Sequence, residues 1–325
     1  MQKAFALLEH LQDGSTHSGE EIARRLGVTR TAVWHHVKSL QAKGVAIYAT
    51  AGKGYRIPGG YEFLNNTLIE TGLSDRARRA VRAIHIERVI DSTNQRLLDM
   101  IVGSNIHGVV WLAEYQTHGR GRRGGSWVAP PGSGLCLSLG WRFDFPPSSI
   151  SALSLVVGIA VVRALEGLGA TNLTLKWPND VYHADRKLAG ILIEMRSEFG
   201  GPCTVVIGIG LNVALSPDAR ARINESATDI GASSGFVPSR NLVAASILDE
   251  LVVILQDFAN SGFHPYRSQW ESRDYLAGRH IRLEMPARVV RGVARGVAAD
   301  GALLLEHVGM IEPFLAGHIV METDP

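Results

Sequence analysis

The chain has 325 residues, of which 46% are hydrophobic and 20% are charged, with 33 Lys and Arg against 31 Asp and Glu. This length predicts two or three domains, and this composition excludes a largely disordered protein. No apolar run reaches the roughly 20 residues that a membrane span requires. The two cysteines are far apart, and the N-terminus lacks the pattern of a signal peptide. We therefore expect a cytoplasmic protein with no disulfide and no membrane partner.

The first sixty residues differ from the remainder in charge. They hold eight Lys and Arg against four Asp and Glu, whereas the rest of the chain holds 25 Lys and Arg against 27 Asp and Glu. A small basic segment on a nearly neutral body suggests contact with nucleic acid that is confined to the N-terminus.

This N-terminal segment also has the helix spacing of a DNA-binding domain. Apolar residues from Ala4 to Leu11 recur at helical spacing. Ser18 and Glu21 form a capping box that begins a second helix, and Gly27 ends that helix. Thr29 can begin a third helix. Two short helices around a glycine-containing turn are the helix-turn-helix pattern.

A basic hairpin is predicted after these helices. Strand-like runs at 45–49 and 55–57 flank a turn with Lys53 at its tip, which is typical of a wing that touches DNA phosphates. The residues that we predict to contact DNA are Gly19, Thr29, Arg30, Thr31, Trp34, His35, Lys38 and Lys53. The alternative interpretation is a small helical protein-interaction domain with an ordinary solvated face.

A larger domain follows a polar connector that contains one weak helical stretch. From residue 84 onward helical and strand periods alternate, which predicts a mixed sheet with a helical cover within an α+β chain. Strands are predicted at 109–114, 135–141, 173–177, 188–195 and 205–213, and helices at 95–102, 150–168 and 240–260. Alternating runs around Asp300-Gly301 predict a hairpin near the C-terminus.

The segment from Gly119 to Trp127 is rich in glycine and arginine, and it matches the G-x-G-x-x-G fingerprint of dinucleotide-binding folds. That interpretation fails because Pro130 and Pro131 follow, and they prevent the helix that the fingerprint requires. Three guanidinium groups on a glycine-rich backbone instead indicate a loop that binds anions. A flexible surface loop is the alternative.

Two further segments place charge at strand ends. Lys176, Asn179 and Asp180 surround Pro178 in a turn after an apolar strand, as binding of phosphate with Mg²⁺ would require, although a capped turn with a surface ion pair fits equally well. Lys187 precedes a strand whose glycine allows close approach of a ligand. Together with the arginine-rich loop, these cations favour ATP-dependent activation of a carboxylate, because such an enzyme must neutralise two anions.

Four motifs carry a resemblance to a known family. They are Ser92-Thr93-Asn94, the loop Gly119 to Gly124, Lys176-Trp177-Pro178-Asn179-Asp180 and Lys187-Leu188-Ala189-Gly190, in the order found in biotin–protein ligases. With its N-terminal helix-turn-helix, the chain resembles the bifunctional members, which also repress the biotin operon. The resemblance spans essentially the whole chain. It implies a winged helix-turn-helix domain at 1–62, a connector at 63–82, a catalytic domain at 83–274 and an SH3-like β-barrel at 275–325.

The resemblance also implies an activity. The protein would be a biotin–[acetyl-CoA-carboxylase] ligase that joins biotin to ATP as biotinyl-5′-AMP, with Mg²⁺, and transfers biotin to one lysine of a biotin carboxyl carrier protein. It would form a homodimer when the adenylate is bound, and this dimer would sit on a two-fold operator DNA. Close family members carry further basic residues where this chain has Gly125-Ser126, and they usually carry an acid in place of His318.

Residue roles follow from the same motif match. Lys187, Arg122 and Lys176 would be catalytic. Biotin would be bound by Ser92, Thr93, Asn94, Gln116, Arg120, Gly121, Arg122 and Lys187. The nucleotide would be bound by Arg120, Arg122, Trp127, Lys176, Asn179 and Asn212, with Asp180 as the metal ligand. Two rivals stay open: a lipoate–protein ligase, which shares the catalytic fold, and a biotin-sensing transcription factor that binds the adenylate without transferring it.

Overall fold

The computed structural model describes residues 2–197, 202–223 and 227–322. The N-terminal domain consists of the helices α1 (Gln2–Leu11), α2 (Gly19–Leu26) and α3 (Arg30–Gln41) and the strands β1 (Tyr48–Thr50) and β2 (Gly54–Arg56). The predicted helix ends are confirmed. The Ser18 hydroxyl accepts a hydrogen bond from the Glu21 N–H, and the Thr29 hydroxyl accepts one from the Ala32 N–H, while Gly27 ends α2 in the left-handed conformation.

The hairpin of this domain is shorter than predicted. Each strand has three residues, and the predicted strand residues Val45 and Ile47 precede β1. Both side chains are buried in the core of the domain, together with Phe5 and Leu40. The strand-like sequence at 45–47 therefore reflects burial of apolar side chains and not pairing in a sheet.

The predicted connector contains two helices, α4 (Asn66–Gly72) and α5 (Asp75–Ala80). Ile69 and Ala77 are fully buried in the main hydrophobic core. Arg76 donates to the side chain of Gln256 at 2.7 Å. The prediction of a single weak helical stretch was therefore wrong. Each helix has few apolar residues, which gives a weak sequence pattern, but these residues are enough to hold it against a neighbouring helix.

The central domain is built on a seven-stranded mixed sheet. Its strands are β3 (Ala83–Glu87), β4 (Val109–Ala113), β5 (Gly134–Phe143), β6 (Leu173–Lys176), β7 (Asp180–His183), β8 (Arg186–Ser197) and β9 (Cys203–Asn212), in the spatial order β3-β4-β5-β9-β8-β7-β6. The pair β3–β4 is parallel, and the other pairs are antiparallel. The sequence did not predict β7, which directly follows the turn at Pro178.

The remaining helices cover the two faces of this sheet unequally. They are α6 (Thr93–Met100), α7 (Leu153–Gly167), α8 (Pro217–Arg220), α9 (Ile230–Ser234), α10 (Arg240–Ser261) and α11 (Arg267–Glu271). The apolar helices α7 and α10 pack on one face and form the main core with it. On the opposite face α6 buries Leu97 against Trp111 and Val206. That face is left partly open, and the candidate site lies there.

The C-terminal domain is a five-stranded antiparallel sheet. Its strands are β10 (His280–Glu284), β11 (Val289–Val297), β12 (Leu303–His307), β13 (Met310–Phe314) and β14 (His318–Met321), in the order β13-β12-β11-β10-β14. The predicted hairpin between β11 and β12 is confirmed. The Trp177 indole donates to the Gly301 carbonyl oxygen at 3.0 Å and ties this domain to the central one. The predicted α+β fold class is thus confirmed. No helix in the described part of the chain is long and apolar enough to cross a membrane.

A buried carboxyl group at the junction of these domains makes stability depend on pH. Burial raises the pKa of Asp274 to about 6, and nearby Glu271 contributes to the rise. The folded protein therefore retains a proton that the unfolded chain has lost, so this group costs stability as pH rises from 3.8 toward and past 6. We expect Asp274→Asn to stabilise the protein by about 1.4 kcal/mol more at pH 8 than at pH 5.

Urea unfolding of wild type and Asp274→Asn at the two pH values measures this difference. The exposed Asp75→Asn variant serves as the control, and it should show no such pH-dependent gain. An Asp274→Asn effect of equal size at both pH values would contradict the prediction.

Candidate active site

A cleft of about 670 Å³ opens on the α6 face of the central sheet. Among the described residues, its wall carries five cationic side chains, Arg120, Arg122, Arg123, Lys176 and Lys187, against the two carboxylates Asp180 and Asp185. The C-terminal domain contributes Gly317, His318 and Ile319 to the same wall. The cleft is therefore suited to a ligand with more than one negative charge.

One end of the cleft is a buried network of neutral polar groups. Ser92 caps α6, and Thr93 and Asn94 begin that helix with only 4% of each residue exposed. The Gln116 side-chain oxygen accepts from the Thr93 N–H at 2.8 Å. The buried Ser138 hydroxyl lies 2.7 Å from Thr93 Oγ1 and 2.5 Å from Asn94 Oδ1. Such a set of donors and acceptors fits the neutral polar part of a ligand that requires several directed hydrogen bonds.

Two strand glycines make room for the side chains of this cleft. A Cβ atom on Gly208 would lie 2.2 Å from Asn94 Oδ1, and one on Gly210 would lie 2.3 Å from the Trp127 indole. Any other residue at these positions would displace Asn94 or Trp127. The backbone of β9 therefore forms a floor against which the amide and the indole lie flat.

The loop from Gly119 to Trp127 folds back on itself over this floor. The Gly121 N–H donates to the Gly125 carbonyl at 2.7 Å, and a single 3₁₀ turn covers Arg122–Gly124. The next element after this turn is the strand β5 and not an α-helix, which agrees with the rejection of a dinucleotide fingerprint. Arg122 donates to Asn179 Oδ1 at 3.2 Å, and burial, followed by the neighbouring Arg123, lowers its pKa. A partly desolvated guanidinium of this kind is stabilised by an incoming anion.

The lysines hold the other end of the cleft. The Lys187 ammonium lies 3.2 Å from an Asp180 carboxylate oxygen, and both side chains are largely buried. Lys187 also lies 6.0 Å above the centre of the Trp127 ring. Lys176 donates to the Tyr182 hydroxyl at 3.2 Å. The hairpin β6–β7 and the start of β8 thus bring both lysines and the carboxylate of Asp180 to one place, as the motifs predicted.

A cysteine also lies on the floor of the cleft, at Cys136. Burial raises the pKa of Cys136 to about 12, so its thiol stays protonated at neutral pH. A thiol in this state is a poor nucleophile, because the thiolate is the reactive form.

The structure separates one predicted site residue from the others. The cleft wall includes these predicted residues: Ser92, Thr93, Asn94, Gln116, Arg120, Gly121, Arg122, Trp127, Lys176, Asn179, Asp180 and Lys187. Asn212 does not line it. Its buried side chain donates to the Thr228 carbonyl at 3.0 Å, and the Thr228 N–H donates to the Lys187 carbonyl. Asn212 thus supports the segment beside Lys187, and its predicted contact with the nucleotide is not supported by its position.

Sequence reasoning missed three residues of this region. Ser138 and Cys136 lie in an apolar strand, and Glu194 ends an apolar run, so none stands in a recognisable motif. Cys136 lines the cleft, whereas Ser138 and Glu194 lie behind its wall and contact the lining residue Asn94. The pairing of β5, β9 and β8 brings them there, since it places Ser138 opposite Gly208 and Gly208 opposite Leu192. The available signal was a polar residue at alternating spacing within a buried strand.

A second candidate surface lies on the N-terminal domain. The side chains of Val33, Val37 and Leu40 are buried, so α3 presents its opposite face to solvent. Exposed residues of this face and of the hairpin turn include Thr29, Arg30, Thr31, Trp34, His35, Lys38 and Lys53. Gly19 begins α2 and lies against the Tyr55 ring, 3.3 Å from where a Cβ would stand. The arrangement is that of a recognition helix beside a basic wing.

The domains and the cleft together define a ligase that carries a helix-turn-helix domain. Sequence models agree with each part: the Biotin/lipoate A/B protein ligase family matches residues 86–212, an HTH domain matches 3–56, and the Biotin protein ligase C terminal domain matches 277–321. The chain is 40% identical to the bifunctional ligase/repressor BirA of Escherichia coli, over 98% of this chain and 96% of that protein. It is 32% identical to the BirA of Bacillus subtilis, over 89% of each chain.

A solved structure supports the same assignment. The biotin protein ligase from Aquifex aeolicus in complex with biotin and ATP aligns with a TM-score of 0.63 and 27% identity, over 75% of this chain and 100% of that one. The chain belongs to the biotin protein ligase family, in its bifunctional ligase/repressor branch. The family resemblance inferred from the motifs is thereby confirmed.

Proposed function

We propose that the protein activates biotin with ATP to biotinyl-5′-AMP and transfers biotin to one lysine of the biotin carboxyl carrier protein of acetyl-CoA carboxylase. The observation that carries this proposal is the division of the cleft. A buried neutral network around Thr93, Asn94 and Gln116 adjoins a cationic region around Arg122 and Lys187. The first fits the ureido ring of biotin, and the second fits a carboxylate beside a phosphate chain.

The first step is attack of a biotin carboxylate oxygen on the α-phosphorus of ATP, which forms the mixed anhydride and releases pyrophosphate. Both reactants are anions, so bringing them together is costly unless cations neutralise them. Lys187 and Arg122 are placed to hold the carboxylate and the α-phosphate, and Lys176 to hold the departing phosphates. The Trp127 ring on its glycine floor supplies a flat apolar wall beside the adenylate.

The second step is attack of the carrier lysine amine on the carbonyl carbon of the anhydride, which forms an amide and releases AMP. The intermediate must be shielded from water until the amine arrives. The folded-back arginine-rich loop lies over the cleft and is positioned for this shielding. Lys187 stabilises the phosphate that leaves as AMP.

The donor set of the cleft fits a Mg²⁺ ion that arrives with ATP. The described residues contain no group of three or more His, Cys, Asp or Glu side chains that could form a complete metal cage. Mg²⁺ at nucleotide sites is usually held by one or two carboxylates and by the phosphates themselves. Asp180 is the carboxylate placed to hold it, and the ion would neutralise charge on the phosphate chain.

We propose that the N-terminal domain represses the biotin biosynthesis operon when the adenylate is bound. The exposed face of α3 and the Lys53 turn support DNA contact. Helix-turn-helix proteins usually bind paired half-sites as dimers, which supports a homodimer on a two-fold operator. The repressor relatives support the same role.

The activity is tested by incubating the protein with ATP, Mg²⁺, biotin and a purified carrier domain, and by measuring the mass of the carrier. Acylation of one lysine by biotin is expected. Lipoate in place of biotin is the control, because a lipoate–protein ligase shares the fold. Acylation with lipoate but not with biotin would contradict biotin as the substrate. Formation of the adenylate without acylation of the carrier would contradict the transfer step and favour a biotin sensor.

A further inference from the structure

One carboxylate connects the arginine-rich loop to the buried polar network. Glu194 Oε2 accepts from Arg120 Nη2 at 2.5 Å and from Asn94 Nδ2 at 2.9 Å. Arg120 belongs to the loop, Asn94 to the start of α6 and Glu194 to β8. The Glu194 and Arg120 side chains are 26% and 33% exposed, so water screens this pair only partly.

The contact with Glu194 fixes the orientation of Asn94. The Asn94 amide nitrogen donates to Glu194 and to the Leu192 carbonyl at 3.2 Å, while its oxygen lies beside Ser138. Because donors and acceptors on both sides of the amide are specified, the side chain has one orientation over Gly208. Its neighbour Thr93 and the Ser138 hydroxyl are held by the same set of bonds.

The contact with Glu194 also occupies one hydrogen-bond donor of the Arg120 guanidinium. Arg120 Nη2 is bound to Glu194, whereas the buried Nε of the same group has no hydrogen-bond acceptor among the described residues. A buried donor without an acceptor costs free energy until a ligand satisfies it. A ligand oxygen that enters the cleft beside Asn94 would provide that acceptor.

We propose that Glu194 is a positioning residue for biotin, the carboxylic acid substrate. It holds Arg120 over the pocket that Asn94 and Thr93 form, so that the loop and the pocket close on one ligand. This inference rests on the proposed function and deepens it, because it separates biotin binding from nucleotide binding. Glu194 acts through Arg120 and Asn94 and does not itself touch the reacting atoms.

The test compares Glu194→Gln with wild type by calorimetric titration of biotin and by steady-state kinetics. The biotin Kd and KM should rise at least tenfold, while the KM for ATP changes less than twofold. Glu194→Asp, which keeps the charge but shortens its reach, should give an intermediate biotin Kd. The matched control is Glu166→Gln, which removes a similarly exposed ion pair with Arg273 outside the cleft and should leave biotin binding unchanged.

A second comparison shows whether Glu194 acts through Arg120. In an Arg120→Met background, Glu194→Gln should weaken biotin binding by less than threefold, since Arg120 is already absent and only the contact with Asn94 is left to lose. An unchanged biotin Kd in Glu194→Gln, a parallel rise of both KM values, or full additivity with Arg120→Met would overturn the proposal. Calorimetry with biotin alone needs no turnover, so wild type that binds biotin without acylating a carrier would contradict the proposed function and leave this test intact. Wild type that binds no biotin would overturn both.

Discussion

Lys187→Ala should lower the rate of biotin-dependent ATP–pyrophosphate exchange by roughly 10²–10³-fold, which is the usual cost of removing one electrostatic stabiliser of a transition state. Lys187 lies in the cationic region of the cleft, 3.2 Å from the Asp180 carboxylate and above the Trp127 ring. In the proposed reaction, its ammonium would face the negative charge that accumulates as the carboxylate meets the α-phosphate. No neutral side chain can replace this charge.

The exchange assay includes two control variants. Lys187→Met keeps the apolar stem against Trp127 and should lose activity equally, which separates charge from packing. Arg186→Ala removes the exposed cation that directly precedes Lys187 in β8, and this variant should retain activity within about twofold. Equal thermal unfolding temperatures of all variants would show that the fold is intact. Exchange at the wild-type rate in Lys187→Ala would remove this residue from the reaction.

Arg30→Ala/Lys38→Ala should weaken binding to a short duplex of random sequence by roughly tenfold or more at low salt, because two exposed cations of α3 would be lost from the phosphate contact. The slope of log K against log salt should become shallower by about 0.9 for each phosphate contact removed. Biotin transfer should persist, since both residues lie on the exposed face of the N-terminal domain. Fluorescence anisotropy at several salt concentrations measures both quantities.

The control for DNA binding is Arg79→Ala/Arg82→Ala, which removes two exposed cations from the connector between the N-terminal and central domains. Its affinity and salt slope should match wild type. If this variant lost DNA binding and Arg30→Ala/Lys38→Ala did not, the DNA surface would lie on the connector and not on α3. Loss of binding in both would indicate non-specific attraction to total charge.

Much of the local structure could be predicted because it depends on neighbours in sequence. Ser18 and Thr29 cap helices through bonds that span three residues. Gly27 ends α2 in a conformation that glycine adopts without strain. Long apolar helices such as α7 and α10 were predicted for the same reason, since helical spacing within one segment decides them.

Predictions were wrong where a distant partner decides the structure. Val45 and Ile47 have the composition of a strand, but the core of their domain buries them outside the hairpin. The helices α4 and α5 are short and polar, and their burial against α10 stabilises them. The role of Asn212 at the nucleotide stays a prediction, and only the fold shows that its amide donates to the Thr228 carbonyl.

The sequence by itself determined which chemical groups this protein brings to its site. The lysines, the arginine-rich loop and the Ser92-Thr93-Asn94 segment lie in contiguous motifs. Such motifs can be identified from the sequence without knowledge of the fold. Tertiary structure decided which groups meet. Glu194 reaches Asn94 and Arg120 across 100 and 74 positions. Arg240 and Glu114 form a buried ion pair across 126 positions. Contacts at such separations depend on strand register and helix packing, which no local pattern encodes.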